Sequence, residues 1–374
     1  MQRIEKRICA FVLAAATLLS LTGCGSADTP VQPTQAATEA VPAVVETQSV
    51  AAEVPATEET EPAILEGSLF LKVSSITFSL TGESEDVYLG VVPRELVTWE
   101  SENPDIVSVE NGVLTAVGVG TTVIHASYDD RQASCIAGCL AQTREELEAL
   151  DTEILSAPKW LPPEVDLDEP CTYFDNAAIV GDSITYGMMQ YEARSNDLGN
   201  ILFLSRGGIG MMGFVKRNKN IIYQGYELEL EDIIEKTGVE RVFFLVGSND
   251  IAAKYEMDVM MENWEIILNR IWEKTPDVEI VLMSSIPRYE QYPSLDTPDP
   301  YNQLTVAYNT NLRQFAKEHG CMFLDLHSYI QDHWGRLPEI YRIDETHLSE
   351  LGCTNWMKIM RYYARYESEG GILE

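Results

Sequence analysis

Hydrophobic and polar positions follow two different patterns along this chain, and the change comes near its middle. Between Leu69 and Leu140, short runs rich in β-branched residues are separated by turn residues about every ten positions, which predicts a series of short strands. From Asn176 onward, apolar runs alternate with amphipathic stretches, as in parallel βαβ units. The pattern therefore predicts a small all-β domain followed by an α/β domain.

The all-β domain is predicted to be a sandwich that spans residues 68–141. Asn111-Gly112 lies between two of its runs and is a strong hairpin signal, since both residues tolerate a positive φ. Trp99 is interpreted as a core residue, with sugar stacking as the alternative. The predicted strands are Ile76–Leu80, Val97–Glu100, Ile106–Val109, Val113–Val117 and Thr122–Ser127.

The segment from Trp99 to Thr122 resembles the bacterial Ig-like domain of group 2. It combines Trp99-Glu100-Ser101, the Asn111-Gly112 turn and Gly118-Val119-Gly120-Thr121-Thr122 in the same order. The resemblance implies a spacer or an adhesive module. Residues 142–174 are predicted to connect this domain to the next one.

The first 24 residues have the layout of an exported lipoprotein. Three basic residues precede the apolar run Cys9–Thr22, which is typical of a signal peptide. Leu21-Thr22-Gly23-Cys24 resembles the lipobox of bacterial lipoproteins, which implies that residues 1–23 are removed and that Cys24 is diacylated. The expected location is extracytoplasmic, lipid-anchored to the cell membrane at the cell surface. A plain signal peptide and an uncleaved anchor are the alternatives.

Residues 24–67 are predicted to form a disordered acidic linker. They are rich in Ala, Thr, Val, Glu and Pro, with eight acidic side chains, no basic ones and no hydrophobic periodicity. The whole chain carries 59 acidic against 26 basic side chains, a formal net charge of −33. This charge argues against sequence-independent nucleic-acid binding, which depends on Lys and Arg.

In the α/β region the chemistry is expected just after the strands, because loops at the carboxyl ends of parallel strands hold the ligands of such sheets. The predicted strands are Ala177–Val180, Ile201–Ser205, Val242–Val246, Ile280–Ser284 and Met322–Leu326, and the predicted helices are 257–274, 303–319 and 348–366. Four polar or glycine-rich motifs follow these elements. They begin at Gly181, Ser205, Gly247 and Asp344.

Each motif has an ordinary structural interpretation when it is taken alone. Ser183, Asn249 or Asp344 could cap a helix, and His347 could be an exposed side chain without a role.

The glycine cluster allows one further interpretation. Gly208, Gly210 and Gly213 fit the dinucleotide pattern G-x-G-x-x-G. That fingerprint belongs after the first strand of its unit, with an acidic residue at the end of the next strand. Because this match follows the second strand and lacks the acid, NAD or FAD binding is not predicted.

Taken together, the motifs resemble those of the SGNH hydrolases, also called the GDSL esterase family. The matching residues occur in the same order along the chain, and they are Ser183, Gly210, Asn249, Asp344 and His347. The chain resembles this family over about residues 175–366. The resemblance implies a flavodoxin-like three-layer α/β/α domain with a parallel sheet, placed at residues 175–374.

The resemblance has one departure and one ambiguity. Ser205 stands where the second block of the family usually begins with Asn, and the neighbouring Gly208 competes with Gly210 for the block's glycine. A conservative change, Ile184 for the commoner Leu, leaves the chemistry unaltered.

The resemblance also implies a role for each matching residue. Ser183 would be the nucleophile, His347 its base and Asp344 the carboxylate that orients the imidazole. The backbone N–H groups of Ser183 and Gly210 and the amide of Asn249 would form the oxyanion hole. No metal and no organic cofactor is implied.

The leading functional hypothesis is an extracellular carboxylic ester hydrolase that acts on short-chain acyl esters, first of all O-acetyl groups of carbohydrate polymers. A lipid-directed esterase or lysophospholipase and an acyltransferase are the alternatives. In the lipid case, Met188, Met189, Met211 and Met212 would line an acyl groove. A catalytically silent surface adhesin is the alternative from another class.

Two further features leave their interpretation open. The stretch Arg288–Gln303 is predicted to be a loop beside the cleft that either gates substrate or is a plain surface loop. Cys135 and Cys139 lack a second cysteine pair or a histidine cluster, so no zinc site is predicted. Together with Cys171, Cys321 and Cys353 they make five cysteines, an odd total for which no definite disulfide pairing is predicted.

Overall fold

The computed structural model describes residues 68–217, 221–297 and 299–372. The predicted signal peptide, the predicted lipidation site Cys24 and the predicted linker 24–67 lie outside these residues. No helix in the described part of the chain is long and apolar enough to span a membrane.

The N-terminal region is built from short strands, as the alternating pattern predicts. A two-residue turn at Asn111 (φ 50°) and Gly112 (φ 84°) joins two of them, so the predicted hairpin is confirmed. Trp99 is partly buried and packs edge-on against Tyr88, with ring centroids 5.7 Å apart. The strands are β1 Phe70–Leu71, β2 Ser75–Leu80, β3 Ser84–Asp86, β4 Tyr88–Leu89, β5 Thr98–Ser101, β6 Val107–Glu110, β7 Val113–Ala116, β8 Gly120–Tyr128 and β9 Arg131–Ala141.

These strands form three small sheets, β1-β4, β3-β7-β6 and β10-β2-β9-β8-β5. The fifth strand of the largest sheet, β10 (Trp160–Leu161), comes from the predicted connector and pairs antiparallel with β2. Two short helices precede it, α1 (Arg144–Glu148) and α2 (Thr152–Leu155). Part of the connector is therefore an integral edge of the β-sheet.

The C-terminal region contains a five-stranded parallel sheet in the order β12-β11-β15-β16-β17. Numbered within the sheet this order is 2-1-3-4-5, the doubly wound order of flavodoxin-like folds. The strands are β11 Ala177–Gly181, β12 Leu202–Ser205, β15 Arg241–Leu245, β16 Glu279–Met283 and β17 Met322–Leu324, with a separate hairpin of β13 Ile221–Tyr223 and β14 Tyr226–Leu228. The predicted strands are confirmed to within about two residues at each end, the usual uncertainty of element ends.

Helices cover both faces of this sheet, so the sheet lies between two hydrophobic cores. Along β11, Ala177 and Ile179 contribute to one core, and Ala178 and Val180 contribute to the other. The helices are α3 Ser183–Ser195, α4 Met211–Val215, α5 Leu230–Thr237, α6 Ser248–Ala252, α7 Met257–Lys274, α8 Pro300–Glu318 and α9 Glu350–Ser368. The predicted helix 257–274 is confirmed over its full length.

Helix α8 begins before the predicted position. Asp299 caps it by accepting a hydrogen bond from the N–H of Tyr301 at 2.7 Å, and Pro300 occupies the first turn. The predicted loop Arg288–Gln303 therefore ends at Asp299, and the assignment of Tyr301 to that loop is wrong. The Asp-Pro pair is a helix start that hydrophobic periodicity alone does not reveal.

The β-region packs directly on helix α9, and the described residues from Ser68 onward form one compact unit. The hydroxyl of Tyr362 donates to the carbonyl of Leu71 at 2.6 Å and accepts from its N–H at 3.2 Å. Phe70 packs edge-on against Tyr362 and Tyr366. The sequence predicted two neighbouring domains, and the structure gives them a shared hydrophobic core.

All five cysteines in the described residues are free thiols. Among the same residues, no group of three or more His, Cys, Asp or Glu side chains is arranged to hold a metal ion.

Candidate active site

The predicted nucleophile stands in a tight turn between β11 and α3. Asp182, not Ser183, caps the helix, because its Oδ1 accepts a hydrogen bond from the N–H of Ile184 at 2.9 Å. Ser183 is the first helical residue, which leaves its hydroxyl free for other contacts. A Cβ on Gly181 would lie 2.7 Å from the carbonyl oxygen of Leu245, so only glycine fits the turn.

The base and its carboxylate come from the loop before α9. His347 Nε2 lies 2.9 Å from Ser183 Oγ, and His347 Nδ1 lies 2.8 Å from Asp344 Oδ2. The carboxylate accepts the Nδ1 proton, so Nε2 presents its lone pair to the serine hydroxyl. The structure therefore brings together all three predicted catalytic side chains in a hydrogen-bonded line.

Main-chain donors fix the carboxylate of Asp344. Its Oδ1 accepts hydrogen bonds from the N–H groups of Thr346 and His347, each at 2.8 Å. Partial burial would raise the pKa of Asp344, but these donors and the imidazole outweigh it and lower the pKa below its usual value. Asp344 is therefore ionised wherever His347 has to act as a base.

The predicted backbone donors of the oxyanion hole stand at two helix starts. Ser183 opens the 13-residue helix α3, and Gly210 is the N-cap residue of α4. Within the described residues, neither N–H makes a hydrogen bond. Both donors are available at the edge of the sheet where β12 and β15 diverge around β11, the usual place for a ligand in this topology.

The third predicted donor, Asn249, stands beside them. Its Nδ2 donates to Asp182 Oδ2 at 2.9 Å and to the carbonyl of Ile209 at 3.0 Å. Both partners are hydrogen-bond acceptors, so the NH2 end of the amide must face them. If the amide were flipped, its Oδ1 would face two other oxygens. A substrate oxyanion would have to share or replace one of these acceptors.

Buried carboxylates join the three segments that carry the predicted oxyanion donors, and no role for these carboxylates was predicted from the sequence. Asp182, from the loop after β11, accepts hydrogen bonds from the Ser248 hydroxyl and the Asn249 amide in the loop after β15. Asp250, from that same loop, accepts from the N–H of Met211 at 2.9 Å in the loop after β12. Asp182 and Asp250 therefore link the segments after β11, β15 and β12 to one another.

Burial raises the pKa of both carboxylates, and the hydrogen bonds they accept offset it in part. Asp182 and Asp250 belong to the motifs that begin at Gly181 and Gly247, but in the sequence each looks like a local helix cap. Only their position between loops identifies them as supports of the oxyanion hole.

The two competing glycines of the cluster differ in their surroundings. A Cβ on Gly210 would lie 2.5 Å from Asp250 Oδ2, so Gly210 is closely packed against the support, whereas Gly208 is exposed. The helix that follows has only five residues, unlike the long helix of a dinucleotide site. Of the four candidate methionines, Met188 and Met211 are core residues at 0% exposure, and only Met189 and Met212 are partly exposed.

A serine, a histidine and a carboxylate in line, with donors converging beside the serine, form the arrangement of a serine hydrolase. Residues 179–354, which include every one of these side chains, match the GDSL-like Lipase/Acylhydrolase family. This part of the chain is therefore a domain of that family with the SGNH hydrolase fold, and the protein is a carboxylic ester hydrolase. No curated protein matches the chain.

Several solved structures resemble about half of this chain. A Streptococcus pneumonia protein assigned as a platelet activating factor is 22% identical over 50% of this chain and 83% of its own, with a TM-score of 0.42. A Bacteroides fragilis protein assigned as an acylhydrolase is 19% identical over 55% and 92%, with a TM-score of 0.41. A GDSL-like lipase from Bacteroides thetaiotaomicron is 16% identical over 53% and 91%, with a TM-score of 0.41.

Proposed function

We propose that this protein is a serine esterase that removes short acyl groups, first of all O-acetyl groups, from carbohydrate polymers outside the cytoplasm. The observation that carries the esterase mechanism is the line of hydrogen bonds from Ser183 through His347 to Asp344, at 2.9 and 2.8 Å. The proposed location rests on the lipobox-like segment that ends at Cys24.

In the first step, Ser183 Oγ attacks the acyl carbon while His347 Nε2 takes the hydroxyl proton. The tetrahedral oxyanion accepts hydrogen bonds from the N–H groups of Ser183 and Gly210 and from Asn249. The intermediate then collapses, the C–O bond to the alcohol breaks, and His347 returns its proton to the leaving oxygen. Water repeats the sequence on the acyl-serine and regenerates the enzyme.

A small pocket beside the oxyanion donors supports a short acyl group. Its volume is about 310 Å³, near the lower end for ligand sites. Its lining includes Gly208, Gly210 and Gly213, which have no side chains, together with Met212 and Tyr255. The leaving alcohol has to lie near His347 Nε2, so the acyl chain is directed to the other side, toward this pocket.

A second candidate, a lipid-directed esterase, is favoured by exposed apolar side chains close in sequence to the catalytic residues. Tyr186 is 49% exposed, Ile343 70% and Leu351 51%, and each lies within four positions of Ser183, Asp344 or His347. Such side chains suit an apolar alcohol or a lipid surface.

Both candidates are tested by hydrolysis of p-nitrophenyl acetate, butyrate and octanoate, with Ser183→Ala as the matched control. We expect acetate to be preferred and all activity to be lost in the variant. Preference for octanoate, strengthened above its micelle concentration, would favour the lipid candidate. Cleavage of no ester would favour the silent adhesin. Release of acetate from acetylated xylan or acetylated cell-wall glycan then tests the polymer class.

The proposed anchor needs its own experiment. We expect incorporation of a labelled fatty acid into the expressed chain and its loss in Cys24→Ser. A wild-type chain that takes up no label would contradict the lipoprotein assignment.

A further inference from the structure

Two guanidinium groups contact the ring of Tyr289. The Cζ of Arg342 is 3.6 Å from its centroid and the Cζ of Arg336 is 4.8 Å from it. Guanidinium groups bind aromatic faces through charge–quadrupole attraction and planar stacking. Tyr289 belongs to the loop after β16, so this Arg336–Tyr289–Arg342 stack joins separate parts of the chain.

Arg336 is the fixed end of the stack. It is 3% exposed, and its Nε donates to the fully buried Asp332 at 2.9 Å. Its other nitrogens donate to Ser156 Oγ at 2.9 Å and to the carbonyl of Glu290. One face of the Tyr289 ring therefore rests on a buried and hydrogen-bonded support.

Arg342 is the end that belongs to the catalytic loop. It forms an antiparallel bridge with Leu348, and the N–H of Ile343 donates to the carbonyl of His347 at 2.9 Å. Residues 342–348 are thereby closed into a small loop that carries the carboxylate and the imidazole. The main-chain N–H of Tyr289 also donates to the carbonyl of Glu345, at 2.8 Å.

This loop has little hydrophobic packing of its own. Leu348 is its only buried residue, while the side chains of His347 and Asp344 are 34% and 54% exposed. Its position relative to Ser183 must therefore come from contacts at its base.

We propose that Tyr289 and Arg342 are positioning residues, which hold the loop 342–348 so that His347 Nε2 stays within hydrogen-bond reach of Ser183 Oγ. The guanidinium of Arg342 already donates to Glu339 at 2.6 Å and covers the tyrosine ring. Its guanidinium is thus already occupied by two side chains of this chain, which favours support of the loop over binding of an anionic substrate. The proposal depends on ester-hydrolase chemistry and not on the identity of the ester.

The test compares Arg342→Met, Tyr289→Leu and the double variant in the purified chain. We expect each single change to lower kcat by about tenfold with KM changed by less than about twofold, because a displaced base loses reactive geometry but not substrate contacts. The double variant should lose little more than either single variant, since both act through one stack.

Two conservative variants and one neighbour serve as controls. Tyr289→Phe keeps the ring face and should retain activity within about twofold, and Arg342→Lys, which keeps the charge but loses the planar stack, should fall between wild type and Arg342→Met. Tyr292→Leu alters an 81% exposed residue of the same loop and should leave kcat unchanged.

The rate of Ser183 labelling by a fluorophosphonate is measured in parallel, because it reports serine activation without any assumption about the substrate. We expect it to fall in step with kcat, with the melting temperature unchanged. The proposal would be overturned if Arg342→Met were labelled at the wild-type rate, or if the losses of kcat in the double variant were additive. It would also be overturned if a smaller folded fraction explained the losses of kcat. Wild-type labelling without ester cleavage would instead count against the proposed substrate.

Discussion

The two sides of this active site are held in place in opposite ways. On the oxyanion side, Asp182 and Asp250 are each 1% exposed and join the loops that carry Ser183 and Asn249. On the proton-transfer side, the side chain of Asp344 is 54% exposed and that of His347 is 34% exposed.

The pKa shifts show the same contrast. Burial raises the pKa of Asp182 and Asp250, whereas main-chain hydrogen bonds overcome partial burial and lower the pKa of Asp344. The predicted oxyanion hole is thus held by a buried polar network, and the predicted base is held by contacts nearer the surface. Buried networks are costly to disrupt, and exposed ones can be replaced in part by water.

The largest effect is expected from the residue that both sides share. Ser183→Ala should lower kcat by at least about 10⁴-fold, since no nucleophile remains. Because Asp182 rather than Ser183 caps helix α3, the melting temperature should not change. Calorimetry and ester hydrolysis on the same sample check both statements. Retained turnover would contradict the assignment.

On the oxyanion side, Asn249→Ala and Asp250→Ala should each lower kcat by about 10² to 10³-fold. The first removes a donor, and the second removes the acceptor that holds the Met211 N–H next to Gly210. Asp250→Asn keeps an acceptor oxygen and is the matched control, which should stay within about tenfold of wild type. Equal losses in the two Asp250 variants would argue against a positioning role.

On the proton-transfer side, Asp344→Ala should cost less, on the order of tens of fold in kcat. The side chain of Asp344 is 54% exposed, so water can take its place and accept the Nδ1 proton of His347, and solvent screens part of the lost charge. A larger loss of kcat than in Asp250→Ala would contradict this contrast. The proton-transfer side would then depend more on its carboxylate than the buried oxyanion side does.

Stability measured against pH should separate the two sides by sign. Asp250 has a raised pKa when folded, so its contribution to stability is largest at low pH and is lost as the pH rises above about 4 through that pKa. Asp344 has a lowered pKa, so its contribution is present above about pH 4 and is lost as the pH falls through that pKa.

Melting temperatures of Asp250→Asn and Asp344→Asn from pH 3 to 7 test these signs. Relative to wild type, Asp250→Asn should improve as the pH rises from about 4, and Asp344→Asn should worsen slightly as the pH rises from about 3 to 5. If the melting temperatures of both variants changed in the same direction with pH, relative to wild type, the two carboxylates would not differ in sign.

The smallest effect concerns the far end of helix α9, which begins three residues after His347. Tyr362→Phe removes the hydrogen bonds to Leu71 and should lower the free energy of unfolding by about 1 kcal/mol, measured by urea denaturation. Activity should be unchanged. A parallel fall in kcat would mean that the proton-transfer side also depends on the β-region.

The order of elements and the identity of the predicted site residues could be read from the sequence. Local hydrophobic periodicity locates the parallel strands and helix α7, and Asn111-Gly112 specifies its turn through the backbone freedom of two residues. The family-like order of Ser183, Gly210, Asn249, Asp344 and His347 identified the side chains that the fold brings together.

Tertiary structure alone decided the contacts between distant segments. Ser183 and His347 are 164 positions apart, and Leu71 and Tyr362 are 291 apart. Asp182 and Asp250 look like local caps until the loops around β11 converge, and Tyr289 gains its partners only when the loop after β16 meets the one before α9. Periodicity reports which face of an element is buried, but the partner of a buried polar group depends on how whole elements pack.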